Sequence, residues 1–297
     1  MEYKVLKNKD IDKQRWDACV NSSKEAHIYA LSWYLDVVCP TWQALVFGDY
    51  EAVFPICKKY KWGIVPVILA PFLTKDFGIY TANLQRFLVP ETFKVIKNEI
   101  SKCLILNYNV CHEIELKFGK IKKTKQQIEF HSYEKYPEKT LRKSLRDAEI
   151  YGYELKFNIN KDLLFEFLRD TLLTQNKFIN KNQLNILLKL YHKGNQLGVI
   201  QNAAIYKESK ICAVDIFGIT SNVLYLIQNS GNEISKNGGM HFLLFNIIDK
   251  LKNNIAVVDF MGSNIESVRR FNKNFCNKEV EYTAIKKTML LAMITKL

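Results

Sequence analysis

The stretch SKNGGMHFLLFNIID, residues 235–249, begins as a loop and ends as a helix. Met240, Leu243, Leu244, Ile247 and Ile248 fall at helical spacing, and Leu251 continues the same stripe. Two glycines stand together at the mouth of this helix in a chain that has 12 among 297 residues. The first turn of a helix presents unpaired N–H groups and a partial positive charge, which together suit an anion. Glycines there let a phosphate approach without meeting a Cβ. Lys236, Asn237, Gly238, Gly239 and Met240 are therefore the candidate anion-binding residues. The competing reading is a plain turn in which the glycines only relieve backbone strain.

Working outward, residues 198–230 give three apolar runs parted by the turn signals KESK (207–210) and TSN (220–222), an antiparallel meander. After the helix, NIAVVDF (254–260) is nearly all apolar, as a strand buried on both faces would be. The last meander strand, the helix and this strand make a β-α-β crossover. Ser263 and Glu266 then form a capping box opening another helix, with Ile265, Val268, Phe271 and Phe275 as its buried side. EYTAIKKT (281–288) closes as a strand.

Upstream, PEKTLRKSLRDAEIYG (137–152) places Leu141, Leu145 and Ala148 on one helix face, with Arg142, Lys143 and Arg146 elsewhere. Two amphipathic helices follow over 162–175 and 182–192, the second ended by Gly194. The first half reads as mixed α and β: a helix at Ser32–Val38, two strands about a Gly48-Asp49 turn within 42–62, a helix over 89–104 and a strand over 111–119. A boundary near 130–139 divides the chain into residues 1–133 and 134–297. The expected class is α/β, an α+β mixed-sheet arrangement.

The net charge of +13, from 43 Lys and Arg against 30 Asp and Glu, favours anionic partners: nucleic acid, acidic membrane or phosphorylated ligands such as coenzyme A. Seven cysteines without a Cys-x-x-Cys pair argue against a disulfide framework or zinc ribbon, and no metal is expected. The N-terminus does not read as a signal peptide, and the most apolar stretch, residues 63–73, is too short to span a bilayer. We expect a cytoplasmic protein with no membrane span. The aromatic residues show no repeat and read as core and cleft walls, not as a stacking platform for single strands.

Three stretches resemble the GNAT superfamily of acyltransferases, in particular its bacterial, Fem-like branch related to the peptidoglycan aminoacyltransferases. NSGNEISKNGGMHFLLFNIID (229–249) is similar to the family's post-meander loop and cofactor helix. DFMGSNIESVRRFNKNF (259–275) resembles its D-F-E-G-S block and the following helix, and LRKSLRDAEIYGYEL (141–155) its arginine-rich helix. A fainter match over 32–56 extends the likeness into the first half. The resemblance implies two tandem GNAT-like domains, with an acyl donor held in the second. It departs from the family at Met261, where Glu is usual, at Cys276, where Gly is usual, and in the glycine loop, where Ser235 and Met240 occupy signature positions.

The expected reaction is transfer of an acyl group from acyl-CoA to a primary amine of a small or peptidic acceptor by direct attack. Orientation and a base supply the acceleration. Coenzyme A would place its pyrophosphate at the helix and its thioester along the preceding strand. Glu233 and Asp215 are the candidate catalytic carboxylates, the latter inside an apolar strand where an unpaired charge is costly. Arg142, Arg146 and Tyr282 are candidates for the acceptor side; His241 reads as a surface histidine and Asp259 as a structural acceptor for its turn. Two other readings stand beside this one: an aminoacyl-tRNA donor, which the positive charge suits, and a catalytically silent binding module. If the glycines serve a phosphate, Gly239→Ala should keep or raise stability while weakening the donor.

Overall fold

The computed structural model describes residues 2–111, 119–132, 139–174, 179–261 and 265–288. The chain forms two compact units, one of Met1–Lys123 with Glu281–Leu297, the other of Thr124–Val280. This differs from the division at 133/134. Residues 127–129 pair with the strand at 257–259, whereas residues 283–288 pair antiparallel with 105–110, which carries the last strand into the first unit.

In the first unit, β1 (Tyr3–Lys7), β2 (Gln43–Phe47) and β3 (Ala52–Ile56) form an antiparallel sheet in that order. Helix α1 (Lys13–Ser22) is capped by Asp12, whose side chain accepts from the Arg15 N–H. Its Trp16 packs edge-on against Trp42 at 4.7 Å, and both are fully buried. Helix α2 (Ser32–Val38) lies where its apolar spacing placed it. The chain breaks at Cys57, so that β4 (Lys58–Lys61) leaves β3 and pairs instead with β5 (Val65–Leu69). After α3 (Leu84–Phe87) and α4 (Pro90–Ser101), β6 (Ile105–Val110) pairs parallel with β5. The strand expected over 111–119 has residues 112–118 outside the described residues.

The second unit takes the C-terminal part of β7 (Gly119–Glu129), then α5 (Lys139–Tyr151), β8 (Glu154–Phe157), α6 (Lys161–Thr174) and α7 (Lys181–Gln196). The meander β9 (Ile200–Lys207), β10 (Lys210–Thr220) and β11 (Val223–Gly231) follows, then α8 (Gly239–Leu251), β12 (Val257–Asp259) and α9 (Glu266–Asn272). The strand order is β7-β12-β11-β10-β9-β8, antiparallel except for β11 with β12, which α8 crosses over to join. Leu243, Leu244, Ile247 and Ile248 of α8 are buried with Ala203, Ile205, Ala213 and Phe217 of the sheet and Leu141 and Ala148 of α5.

Two local expectations fail here. Helix α7 runs through Gly194 because that glycine serves a close contact: a Cβ on it would come within 2.5 Å of the Ile200 side chain. Helix α9 has seven residues and exposes Ile265 and Val268, burying Phe275 and half-burying Phe271. The capping box falls on Ser263, outside the described residues.

Candidate functional site

Helix α8 opens at Gly238, which takes a left-handed φ of 79° and caps the helix without any side-chain hydrogen bond. Its carbonyl accepts the first helical bond, from the Phe242 N–H. The N–H groups of the first turn therefore lack a side-chain cap. The glycine pair is nevertheless occupied by the protein itself. A Cβ on Gly238 would meet the Ser144 carbonyl of α5 at 2.2 Å, and one on Gly239 would meet Ile205 Cδ1 at 2.8 Å and Tyr153 Cζ at 3.0 Å. Tyr153 fixes this corner by donating to the Ile234 carbonyl at 2.5 Å, and burial pushes its phenol up to about 12. What the two glycines admit is thus α5, Tyr153 and Ile205, so their presence alone no longer argues for a phosphate.

Beside this corner lies an open cleft of about 510 Å³, lined on one side by Ser144, Asp147, Ile150 and Tyr151 of α5. Its other side is Lys236, Asn237, Gly238 and His241. Lys236 and Asn237 are exposed, and Lys236 pairs with the exposed Glu233 one turn back. Met240 turns inward against the core. His241 is not a plain surface residue. Its ring lies 4.5 Å from that of Phe271 and stacks at 5.8 Å on Phe275, its Nε2 is 3.2 Å from the Asn274 amide, and burial lowers its pKa. The imidazole is neutral at neutral pH and half-open to the cleft.

The strand that leads into this corner has an open side. β11 runs from Val223 to Gly231, yet it pairs with β12 only over Val223–Tyr225. β12 ends at Asp259, opposite Tyr225, so among the described residues β11 has no ladder with β12 over 226–231. Asp259, at the end of β12, accepts from the Met261 N–H at 2.7 Å and from Gln127 at 3.0 Å, the structural use its turn suggested. Met261 is 3 % exposed with a left-handed φ of 54°.

Asp215 sits on β10 opposite Asn229 and Ala203, wholly buried. Neither carboxylate oxygen has a hydrogen-bond partner among the described residues. Burial holds this carboxyl well above the ordinary range. Burial thus disfavours the ionised form that a base for N-acyl transfer needs.

The expected acceptor residues do not gather here. Arg142 and Arg146 are exposed on α5 and are not among the residues that line the cleft, although Arg146 stands one turn before Ile150, which does. Among the described residues neither makes an ion pair. Tyr282 is buried in the other unit, in a small cavity of about 60 Å³ with Cys111, Lys122, Glu281 and Thr283. A second open cleft of the α8 unit, about 410 Å³, is lined by Gln126, Lys273, Cys276, Asn277, Lys278 and Glu279. Burial there raises the Cys276 thiol well beyond its usual value. Among the described residues no group of three His, Cys, Asp or Glu side chains is placed to hold a metal. No described helix is long and apolar enough to cross a membrane.

The sequence matches no protein-family profile and no curated protein. Solved structures share the architecture. FemX superposes with a TM-score of 0.70 at 11% identity over 100% of both chains. L-PGS from Bacillus licheniformis gives 0.60 at 13% over 95% of each chain. A tandem GNAT protein from the clavulanic acid biosynthesis pathway gives 0.50 at 7% over 96% of this chain and 98% of its own. The chain shares the fold of FemX and of this tandem GNAT protein, a mixed α/β architecture.

Proposed function

We propose that the protein is an N-acyltransferase that moves an acyl group from acyl-CoA to a primary amine. The observation that carries this is the continuity of the open β11 edge with the uncapped start of α8. An extended arm bearing amides could lie along β11 beyond Tyr225, where the β12 ladder ends. A pyrophosphate at the end of that arm meets the α8 first turn with Lys236 and Asn237 beside it. Coenzyme A has both parts, in that order. The amine nitrogen attacks the thioester carbonyl, the C–N bond forms, the C–S bond breaks, and the thiolate leaves and takes up a proton.

The amine must first lose its proton. Asp215 is ill placed for that, being wholly buried with its ionised form disfavoured. His241, neutral and facing the cleft, and Glu233, exposed on the loop before α8, are the groups we assign as base or relay. Isothermal titration of the full chain with coenzyme A tests the donor. Binding that weakens in Lys236→Ala is the expected result, and no heat at millimolar coenzyme A overturns it. An aminoacyl-tRNA donor is the alternative favoured by the +13 charge. It would show instead as charged-tRNA retention that collapses with salt while coenzyme A stays silent.

A further inference from the structure

The hairpin of β4 and β5 carries its bulkiest side chains into solvent. Tyr60 is 54 %, Trp62 69 % and Ile64 79 % exposed. Of the other tryptophans, Trp16 and Trp42 are fully buried and Trp33 is half-buried. At the tip the Ile64 N–H donates to the Lys61 carbonyl at 3.3 Å, and Trp62 and Gly63 take φ of 53° and 76°. A turn with two successive positive φ favours Asn, Asp or Gly at its first central position. A bulky Trp there runs against backbone preference, and such breaches of local rule collect where a side chain is kept for function.

The charge around the tip has one sign. Lys58, Lys59 and Lys61 alternate with the aromatics, and no Asp or Glu occurs over residues 52–75. The Lys61 ammonium lies 4.4 Å from the Trp62 ring centre and that of Lys58 5.5 Å from Tyr60. β4 is the edge of its sheet, and edge lysines deter unwanted strand pairing, which accounts for the lysines but not for Trp62 or Ile64. Base stacking on RNA would use Tyr60 and Trp62 but leaves Ile64, the most exposed of the three, without a partner. An aliphatic and an aromatic side chain at the tip with lysines behind them match the depth profile of an anionic bilayer surface: apolar groups below, phosphates above.

We propose that this hairpin docks the protein on an anionic lipid surface, Trp62 and Ile64 entering the headgroup layer while Lys58, Lys59 and Lys61 meet lipid phosphates. This does not depend on the acyl-transfer chemistry. The test is sedimentation of the full chain with vesicles of phosphatidylcholine alone or mixed with phosphatidylglycerol, read together with tryptophan emission. Binding to the anionic vesicles with a blue shift is expected. Trp62→Asn, which suits the turn and should not lower the melting temperature, reduces the partition coefficient about ten-fold and abolishes the shift. Each lysine-to-alanine change lowers it about five-fold at low salt. Failure to bind anionic vesicles overturns the proposal, as does undiminished binding by Trp62→Asn. So does finding the tip engaged instead by bulk tRNA or by a second copy of the chain.

Discussion

Gly238 stands directly beneath Ser144: a Cβ on the glycine would lie 2.2 Å from the Ser144 carbonyl oxygen. The left-handed φ of 79° adds its own penalty for any L side chain. The start of α8 is therefore fixed by helix packing before any ligand arrives. Gly238→Ala should cost at least about 3 kcal/mol, from the φ penalty together with the displaced α5 backbone. Gly239→Ala should cost about 1–3 kcal/mol, because Ile205 and Tyr153 must give way. Chemical denaturation measures both. This reverses the stability expected for Gly239→Ala from the sequence. It also means that lost donor affinity in either variant would not by itself locate a phosphate; Lys236→Ala, at an exposed position, is the cleaner probe.

Asp215 gives a prediction with an unambiguous sign. Its folded-state pKa is raised by burial, so the folded state holds a proton that the unfolded chain releases. Its contribution is most favourable below the unfolded value of about 4 and is lost as pH rises toward the folded value. Asp215→Asn keeps the shape and removes the titration. The variant should match the parent near pH 4 and exceed it by about 1–3 kcal/mol at neutral pH. Urea midpoints across that range decide it, and a constant difference at all pH values would mean that Asp215 does not titrate in this window.

His241 runs the other way. Burial lowers its pKa, so the unfolded chain takes up a proton more readily than the folded one. Its contribution is full above the unfolded value of about 6.5 and is lost as pH falls through the folded value. His241→Gln should flatten the fall in melting temperature between neutral and mildly acidic pH, while a role as base requires its kcat to drop by about 10²–10⁴. A flattened melting profile with unchanged turnover would leave His241 as a packing residue against Phe271 and Phe275.

Periodicity made the second unit legible. Six apolar positions from Met240 to Leu251 determine α8, the turn signals divide the meander, and the apolar run at 254–260 signals a strand, of which only Val257–Asp259 forms. Glycines were less informative, because a glycine signals close approach without saying of what: Ile200 at Gly194, Ser144 at Gly238, Ile205 and Tyr153 at Gly239. Ile265 and Val268 misled because α9 is two turns long, too short for its apolar spacing to guarantee a covered face. Placing Tyr282 and the two arginines needed tertiary information. Tyr282 follows the last strand into the first unit, and Arg142 and Arg146 are exposed on α5 without lining the cleft. His241 was underrated because Phe271, Asn274 and Phe275, which enclose it, lie some thirty residues further along the chain.

Met261 bears on whether the site works at all. By the sequence resemblance it stands where the Fem-like pattern has Glu, and it is 3 % exposed, next but one to a buried Asp259 whose Oδ1 already takes the Met261 N–H. A carboxylate introduced there enters a buried site beside an existing acid, and the backbone keeps its left-handed φ of 54°. Met261→Glu should therefore destabilise the protein by about 2–4 kcal/mol at neutral pH, and by less in acid, where the new carboxyl is protonated. Activity is read separately, as acyl transfer to a panel of amines by the folded fraction. If the parent transfers acyl groups and the variant does not improve on it, the methionine is an accepted replacement and the missing carboxylate was never the base. If transfer emerges only in Met261→Glu, the natural protein is a silent copy of the fold, and the acyl-transfer reading fails for it.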